Sequence, residues 1–444
     1  MPNPPSIPLA FQPSAERLRL ASADDLAKKS LAEKAFVVCV LVLSTTAFVN
    51  LLPGESGIEY AEQGKLFARI LWSFLYLVML IFVRKSVREL LHLLWGNKLL
   101  VLLLGWACLS VGWSIDRPVT IRHLGALLLS SFFGVYLACR FSLREQLRLV
   151  SVALWIVIAS SVAACIFFPS YGIRTEQSTT GPAWQGVFSD KNALARTAVL
   201  AALILALYSV KRVRRPAVLI GILLIFFLVI LTQAKTSLVY FLLGMVAFPF
   251  VRAFQNNPAK RRKIIAFALL TFGGVAAWTY YNWENFTYSL GKDPGLTGRV
   301  ALWGLSMTWI ADRPFVGHGF DAFWSDYYGP AADFRAASGW LEATHAHNGF
   351  INLWLDLGAI GVLIFAVGAA VTYRRTLELA KTSASVEGIW PVSFLAFYLV
   401  YSVTETSFLS RSDLLWILYV ATVLAGQRFI ERGQVEVFQN AWKQ

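Results

Sequence analysis

Leu, Ile, Val and Phe recur along this chain in blocks of about 15–22 residues, broken by short stretches rich in Lys, Arg, Gly and Pro. Most of these blocks are long enough to cross roughly 30 Å of hydrocarbon as helix. Polar and apolar residues do not alternate within them, as they would in the strands of a membrane barrel. The pattern predicts twelve spans, at roughly 35–52, 66–83, 99–113, 124–138, 149–168, 192–208, 217–231, 236–251, 264–281, 350–371, 389–404 and 412–427. The expected fold class is all-α: a polytopic integral membrane protein of about 12 transmembrane helices.

One gap between apolar blocks is far longer than the others. Residues 282–349, between the ninth and tenth spans, exceed the ~12–15 residues beyond which loops are usually functional or disordered. The loop carries Trp283, Trp303, Trp309, Trp324, Tyr327, Tyr328 and Trp340, so a folded unit is expected. These rings suit a membrane interface and equally a sugar platform. RVALWGLSMTWIA (299–311) reads as an amphipathic helix on the membrane surface. Pro314 ends it by disfavouring helix at the residue before it. GHGF (317–320) reads as a turn, and a second short helix is expected near 331–343.

Composition agrees with this picture. The chain is 57% hydrophobic, with mean hydropathy +0.58. Its net charge of +14 would fit nucleic acid in a soluble protein, but here the loops account for it. Segments on the N-terminal side of the membrane hold 27 Lys and Arg, the opposite loops 11, and Arg69 and Arg196 lie inside spans. That asymmetry places both termini in the cytoplasm of a bacterial inner membrane and the long loop in the periplasm. KRVRR (211–215) and KRRK (260–263) then serve topology and lipid headgroups. The expected layout is a cytoplasmic tail over 1–34, spans 1–9 over 35–281, the loop over 282–349, spans 10–12 over 350–427 and a tail over 428–444. Residues 1–34 are polar, with five prolines among the first 13, and do not read as a secretory signal. Cys39, Cys108, Cys139 and Cys165 are scattered without ligand spacing.

The candidate chemistry collects on the periplasmic side of that layout. Two of the five histidines, His345 and His347, stand with Asn348 in THAHNGF (344–350), at the lip of the tenth span. Arg69, Lys191, Asn192, Arg196, Lys235, Arg299, Glu405 and Arg411 fall at the same level. Cations inside spans are costly and usually face a cavity or a partner. Their convergence points to an anion pocket, with phosphate as the natural occupant. No P-loop, Rossmann glycine pattern or DxD pair is present. Zinc on His345 and His347, completed by His318, Asp321 or Glu342, lacks recognised spacing, and no metal or other cofactor is expected. A histidine can instead act as general base on a hydroxyl near neutral pH. Outside the cytoplasm a fitting electrophile is a sugar on a polyprenyl pyrophosphate. Such a reaction needs a base, cations for the departing charge and an aromatic or polar sugar cradle. A plainer reading is that His347 and Asn348 only cap the helix opening near 350.

HAHNGFINLWLDLGAIG (345–361) resembles the signature of the O-antigen ligase and Wzy-type polymerase superfamily: a His-Asn pair, an aliphatic stretch, an acidic or polar residue, then Gly-x-x-Gly. GVFSDKNALA (186–195) resembles the motif opening a middle span. LTQAKTSLV (231–239) resembles the family's Ser-Arg or Ser-Lys turn, with Ala234 in place of Ser. LTGRVALWGLSMTWIADRPFVGHGFDAFW (296–324) resembles the ExoQ-type exopolysaccharide polymerases. The resemblance implies a GT-C-like, inverting, metal-independent glycosyltransferase. It makes His347 the base, with His345 either assisting it or positioning the acceptor. Lys191, Lys235 and Arg299 become pyrophosphate ligands, while Arg196 as a ligand rests on topology alone. Asn192, Asn348, Trp303 and Arg69 complete the expected substrate contacts. The leading expectation is polymerisation of polyprenyl-pyrophosphate-linked repeat units. A ligase moving O-antigen to the lipid A core is the near alternative, and a lipid-linked sugar transporter the distant one. Expected partners are the lipid-linked donor, a glycan acceptor, membrane lipid, a flippase and a chain-length regulator, with no nucleic acid.

Overall fold

The computed structural model describes residues 30–48, 58–84, 86–175, 181–208, 215–289, 298–324, 332–333, 335–336, 345–383 and 386–441. Most of the N-terminal tail, most of KRVRR, parts of the long loop including Tyr327, Tyr328, Trp340 and Glu342, and most of the expected helix near 331–343 lie outside these residues. The helices are α1 (Leu31–Ser44), α2 (Ile58–Val83), α3 (Val87–Gly96), α4 (Lys98–Leu109), α5 (Arg117–Arg140), α6 (Leu143–Phe167), a single turn α7 (Pro169–Gly172), α8 (Lys191–Tyr208), α9 (Arg215–Leu231), α10 (Lys235–Asn256), α11 (Arg261–Tyr281), α12 (Trp283–Ser289), α13 (Arg299–Asp312), α14 (Gly349–Thr382), α15 (Trp390–Tyr401) and α16 (Leu414–Ala441). Ile173–Arg174 and Ala183–Trp184 pair antiparallel as a two-stranded hairpin.

Each of the twelve apolar blocks carries a helix, and the chain is a nearly all-helical, multi-pass membrane protein. Among the described residues, five helices are long and apolar enough to cross a bilayer alone; Arg69–Val83 of α2 with α3, bent by 103°, is a broken span that would make six or a re-entrant loop. The other apolar helices are shorter, as over Pro216–Leu231 and Leu414–Arg428. The helix α3 lies in a segment expected to be loop. Its ten residues, VRELLHLLWG, bury Leu90 and Leu93 against the bundle, too short a pattern to read as a span.

Local signals set the helix starts. Ser142 and Glu145 form a reciprocal capping box at α6. Asp116 accepts from Val119 N (3.0 Å) at α5, with a proline in its first turn. One large apolar core runs through the bundle, with α16 packed on α5, α14 on α4 and α8 on α9.

A broken helix positions the site. In α14, Gly358 has φ 69° and ψ −175°, a conformation essentially reserved for glycine. The break frees backbone groups that the turn after α13 satisfies. His318 N donates to Leu355 O (2.8 Å) and Gly319 N to Asp356 O (3.0 Å), while Ala359 N donates to Pro314 O (2.8 Å) and Ile360 N to Phe315 O (3.2 Å). Broken helices are tolerated in membrane proteins where other protein groups meet the freed backbone in this way. The approach is close: a Cβ on Gly358 would sit 2.1 Å from Phe315 O. Thus DRPFVGHGF and LDLGAIG, some 40 residues apart, are two halves of one crossing. The expected surface helix α13 packs on α14 through a small second core of Leu302, Ile310, Phe323, Trp324, Ile351 and Leu355.

Candidate active site

The small core holds the segment before α14 in an unusual backbone path. Trp303 Nε1 donates to Ala346 O (2.9 Å). Ala346 N donates to Asn352 Oδ1 (3.3 Å), which also accepts from Trp324 Nε1 (2.8 Å). Asn352 Nδ2 in turn donates to Asp356 (3.0 Å). From the other side, Gly349 N donates to Ser402 O (2.7 Å). Asn348 caps α14, accepting from Phe350 N (2.9 Å) and Ile351 N (3.1 Å). Between these anchors His347 adopts φ 47°, uncommon for a non-glycine residue and a kind of strain that clusters at functional sites. The plainer reading of the motif therefore holds for Asn348 and not for His347.

His345 and His347 face each other, ring centroids 4.1 Å apart at 45°. The turn between α15 and α16 meets them with Glu405. His347 Nδ1 lies 3.4 Å from Glu405 Oε2. Arg299, the first residue of α13, donates through Nη2 to Glu405 Oε1 (2.8 Å) and through Nη1 to Thr404 O. Thr404 Oγ1 also bonds the Tyr240 hydroxyl of α10. His347, Glu405 and Arg299 are 23%, 14% and 12% exposed, so the trio opens to solvent through His347. Burial alone would raise the Glu405 carboxyl, but the His347 hydrogen bond and the Arg299 charge outweigh it and bring it down to about 2. Burial, aided by the His347 charge, lowers His345 to about 4, so its imidazole is neutral at neutral pH. Nitrogen and oxygen atoms of His345, His347 and Glu405 lie within 4.8 Å of one another, a spacing that can hold a metal ion. His318 and Asp321 are not in that set. His318 Nδ1 faces Leu355 O (3.2 Å), and Asp321 pairs with His123 (3.0 Å) and Arg411.

Lys191 and Lys235 each begin a helix, α8 and α10. Each therefore adds a side-chain cation to the positive end of a helix dipole. Their charges, with Arg174 of the hairpin, are near enough to act on one another. Tyr240, whose hydroxyl bonds Thr404 next to Glu405, lies five residues along α10 from Lys235, about 7.5 Å by helix rise.

The remaining predicted residues are placed otherwise. Arg196 is buried in an ion pair with Asp413 (3.1 Å) and reaches Thr45 O (3.4 Å). Arg69 is exposed on α2, near His123 of α5. Asn192 is half-buried on the first turn of α8. Trp303 packs against the small core and holds Ala346. The sequence placed Glu405 at the level of the histidines without giving it a role, and did not select Tyr240 or Asn352. The signal for Glu405 was an acid in a short turn between two apolar helices; its partner lies 58 residues away.

A largely buried carboxylate thus faces one histidine of the pair, and two lysines open helices α8 and α10. Comparison with known proteins agrees with the motifs. Residues 220–366 match the family model described as O-antigen ligase. The chain is 26% identical over 292 residues to the exopolysaccharide production protein ExoQ of Rhizobium meliloti (strain 1021), covering 62% of this chain and 63% of that protein, less than two thirds of its length. Both matches support the O-antigen ligase and Wzy-type family. The matched family segment contains Lys235, Arg299 and the histidine pair, and stops before Glu405.

Proposed function

We propose that this protein is an inverting glycosyltransferase that joins polyprenyl-pyrophosphate-linked oligosaccharides into a polysaccharide on the periplasmic face of the inner membrane. The observation that carries this reading is the His347–Glu405–Arg299 arrangement. Glu405 accepts from Nδ1–H of His347 and leaves Nε2 as the basic nitrogen. Nε2 takes the proton of an acceptor hydroxyl as its oxygen attacks the anomeric carbon from the face opposite the pyrophosphate. The anomeric C–O bond breaks, and its electron pair leaves with the pyrophosphate toward Lys191 and Lys235. The ionised Glu405 stabilises the imidazolium that forms. Neutral His345 hydrogen-bonds the acceptor. Arg299 already holds Glu405, and the departing charge meets side-chain cations, so the step runs without a metal. The GT-C-like description fits this combination of a multi-pass helical fold and a lipid-linked donor.

The test is purified protein with a lipid-pyrophosphate oligosaccharide, with and without chelator, scored for chain growth. Growth in chelator supports the reading, and loss of growth that added metal restores assigns the His345, His347 and Glu405 donors to a metal instead. The relative's role in exopolysaccharide production is the support for polymerisation. Transfer to a lipid A core, favoured by the family's description, is separated by the acceptor used.

A further inference from the structure

A cavity lies toward the other end of the helix that follows the histidines. It measures about 310 Å³ and is walled by α4, the second half of α14, and α16, at the lower edge of the ~300–1,000 Å³ typical of ligand sites. Its depth is apolar, formed by Leu100, Leu103, Ile364 and Phe365. The surface beside it is exposed and apolar at Leu102, Leu363 and Val367, so it is continuous with a face that hydrocarbon would cover.

Its mouth is polar and cationic. Arg375, 17 residues or about 25 Å of helix beyond the Gly358 break, donates through Nη1 to Asn97 Oδ1 (3.2 Å). Asn97, 6% exposed, donates in turn to Gln427 of α16. Arg375 makes no ion pair with an acid among the described residues, and exposed Lys98 stands beside Asn97. Between mouth and depth sits Tyr419, 2% exposed, its ring stacked on Trp416 at 5.3 Å. Its hydroxyl lines the cavity 3.9 Å from where a Cβ on Gly368 would lie, and no hydrogen bond to it occurs among the described residues. A hydroxyl on the cavity wall without a partner and a cation without an acid, both among the described residues, suit a ligand.

We propose that this cavity binds a phospholipid with an anionic headgroup, at a site separate from the transfer centre. The phosphate lies on Arg375 and Lys98, the ester region meets the Tyr419 hydroxyl, and one acyl chain enters between Leu103 and Phe365. Basic pockets between transmembrane helices recognise phosphate-bearing headgroups by these means. A free phosphate would leave the apolar depth unused, which selects the lipid.

The experiment uses the full chain purified in detergent. Dioleoylphosphatidylglycerol, dioleoylphosphatidylcholine or inorganic phosphate is added, and retained molecules are counted by native mass spectrometry alongside the melting temperature. The unsubstituted protein retains phosphatidylglycerol over phosphatidylcholine. Arg375→Gln lowers that preference about fivefold, the effect of one cation near a headgroup. Gly368→Leu, which fills the cavity, removes retention of both lipids. Should Arg375→Gln fail to fold, Lys98→Gln, at an exposed position, carries the same reading. Equal retention of the two lipids, unchanged retention in Gly368→Leu, or stabilisation by inorganic phosphate equal to that by phosphatidylglycerol would each overturn the proposal.

Discussion

Single residues here divide into those that act and those that hold. His347→Ala should lower chain growth by on the order of 10²–10⁴, the contribution of a positioned general base, with protein level and melting temperature unchanged. Glu405→Gln keeps the shape but loses the charge that orients His347. A loss of about 10–100-fold is expected, typical of a partner that orients a histidine, mainly in kcat. Arg196 makes the contrasting case. Its partner Asp413 is buried and 217 residues away, so sequence alone left the cation looking free for phosphate. Removing one member of a buried pair costs ~3–5 kcal/mol, and Arg196→Ala should lower the melting temperature by several degrees rather than weaken donor use selectively. A normal melting temperature with impaired donor binding would reverse that assignment. The titrating groups also predict acid sensitivity. His345, lowered to about 4, resists protonation when folded, so stability falls as pH drops below about 6.5. Glu405, lowered to about 2, stabilises above its unfolded value near 4.5, and this contribution is lost as pH falls from there toward about 2. Melting temperature measured between pH 7 and 4 should decline, and Glu405→Gln should flatten the portion below pH 4.5.

At the scale of elements, what was legible followed from hydrocarbon. Apolar blocks announce helices because a buried backbone must bond within itself, and all twelve blocks proved helical. The helix α3 escaped because ten residues make less than a span. The break in α14 was half legible: LDLGAIG and GHGF each flagged glycines, but nothing local shows that one turn completes the other's backbone bonding. Likewise the histidine pair and Glu405 were each visible but their pairing was not, since Glu405 arrives from a turn beyond the next helix. The crossing carries its own prediction. Gly358→Ala puts a side chain into backbone geometry costing about 1–3 kcal/mol, with its Cβ against Phe315 O. The turn after α13 would be displaced, and with it the small core that holds Ala346. Reduced melting temperature together with lost chain growth is expected, whereas Gly304→Ala, facing open space on α13, should change neither.

For the whole molecule, the decisive question is which side of the membrane the histidines face. The His347 end also gathers Lys191, Lys235, Arg299 and the turn around Glu405, while the Arg375 end adjoins segments dense in Lys and Arg. The charge asymmetry then predicts the histidine end outside. The proposed base and anion pocket on that side would use a donor already carried across on lipid, so the orientation and the proposed donor stand together. Phe315 is exposed beside the break, and Asn257 is exposed at the end of α10 remote from Lys235. In a cysteine-free background, Phe315→Cys should react with a membrane-impermeant maleimide on intact spheroplasts, and Asn257→Cys only after the membrane is opened. The reverse pattern would place the base in the cytoplasm. Nucleotide sugars would then be available as donors, and the case for a polyprenyl pyrophosphate would lose its main support.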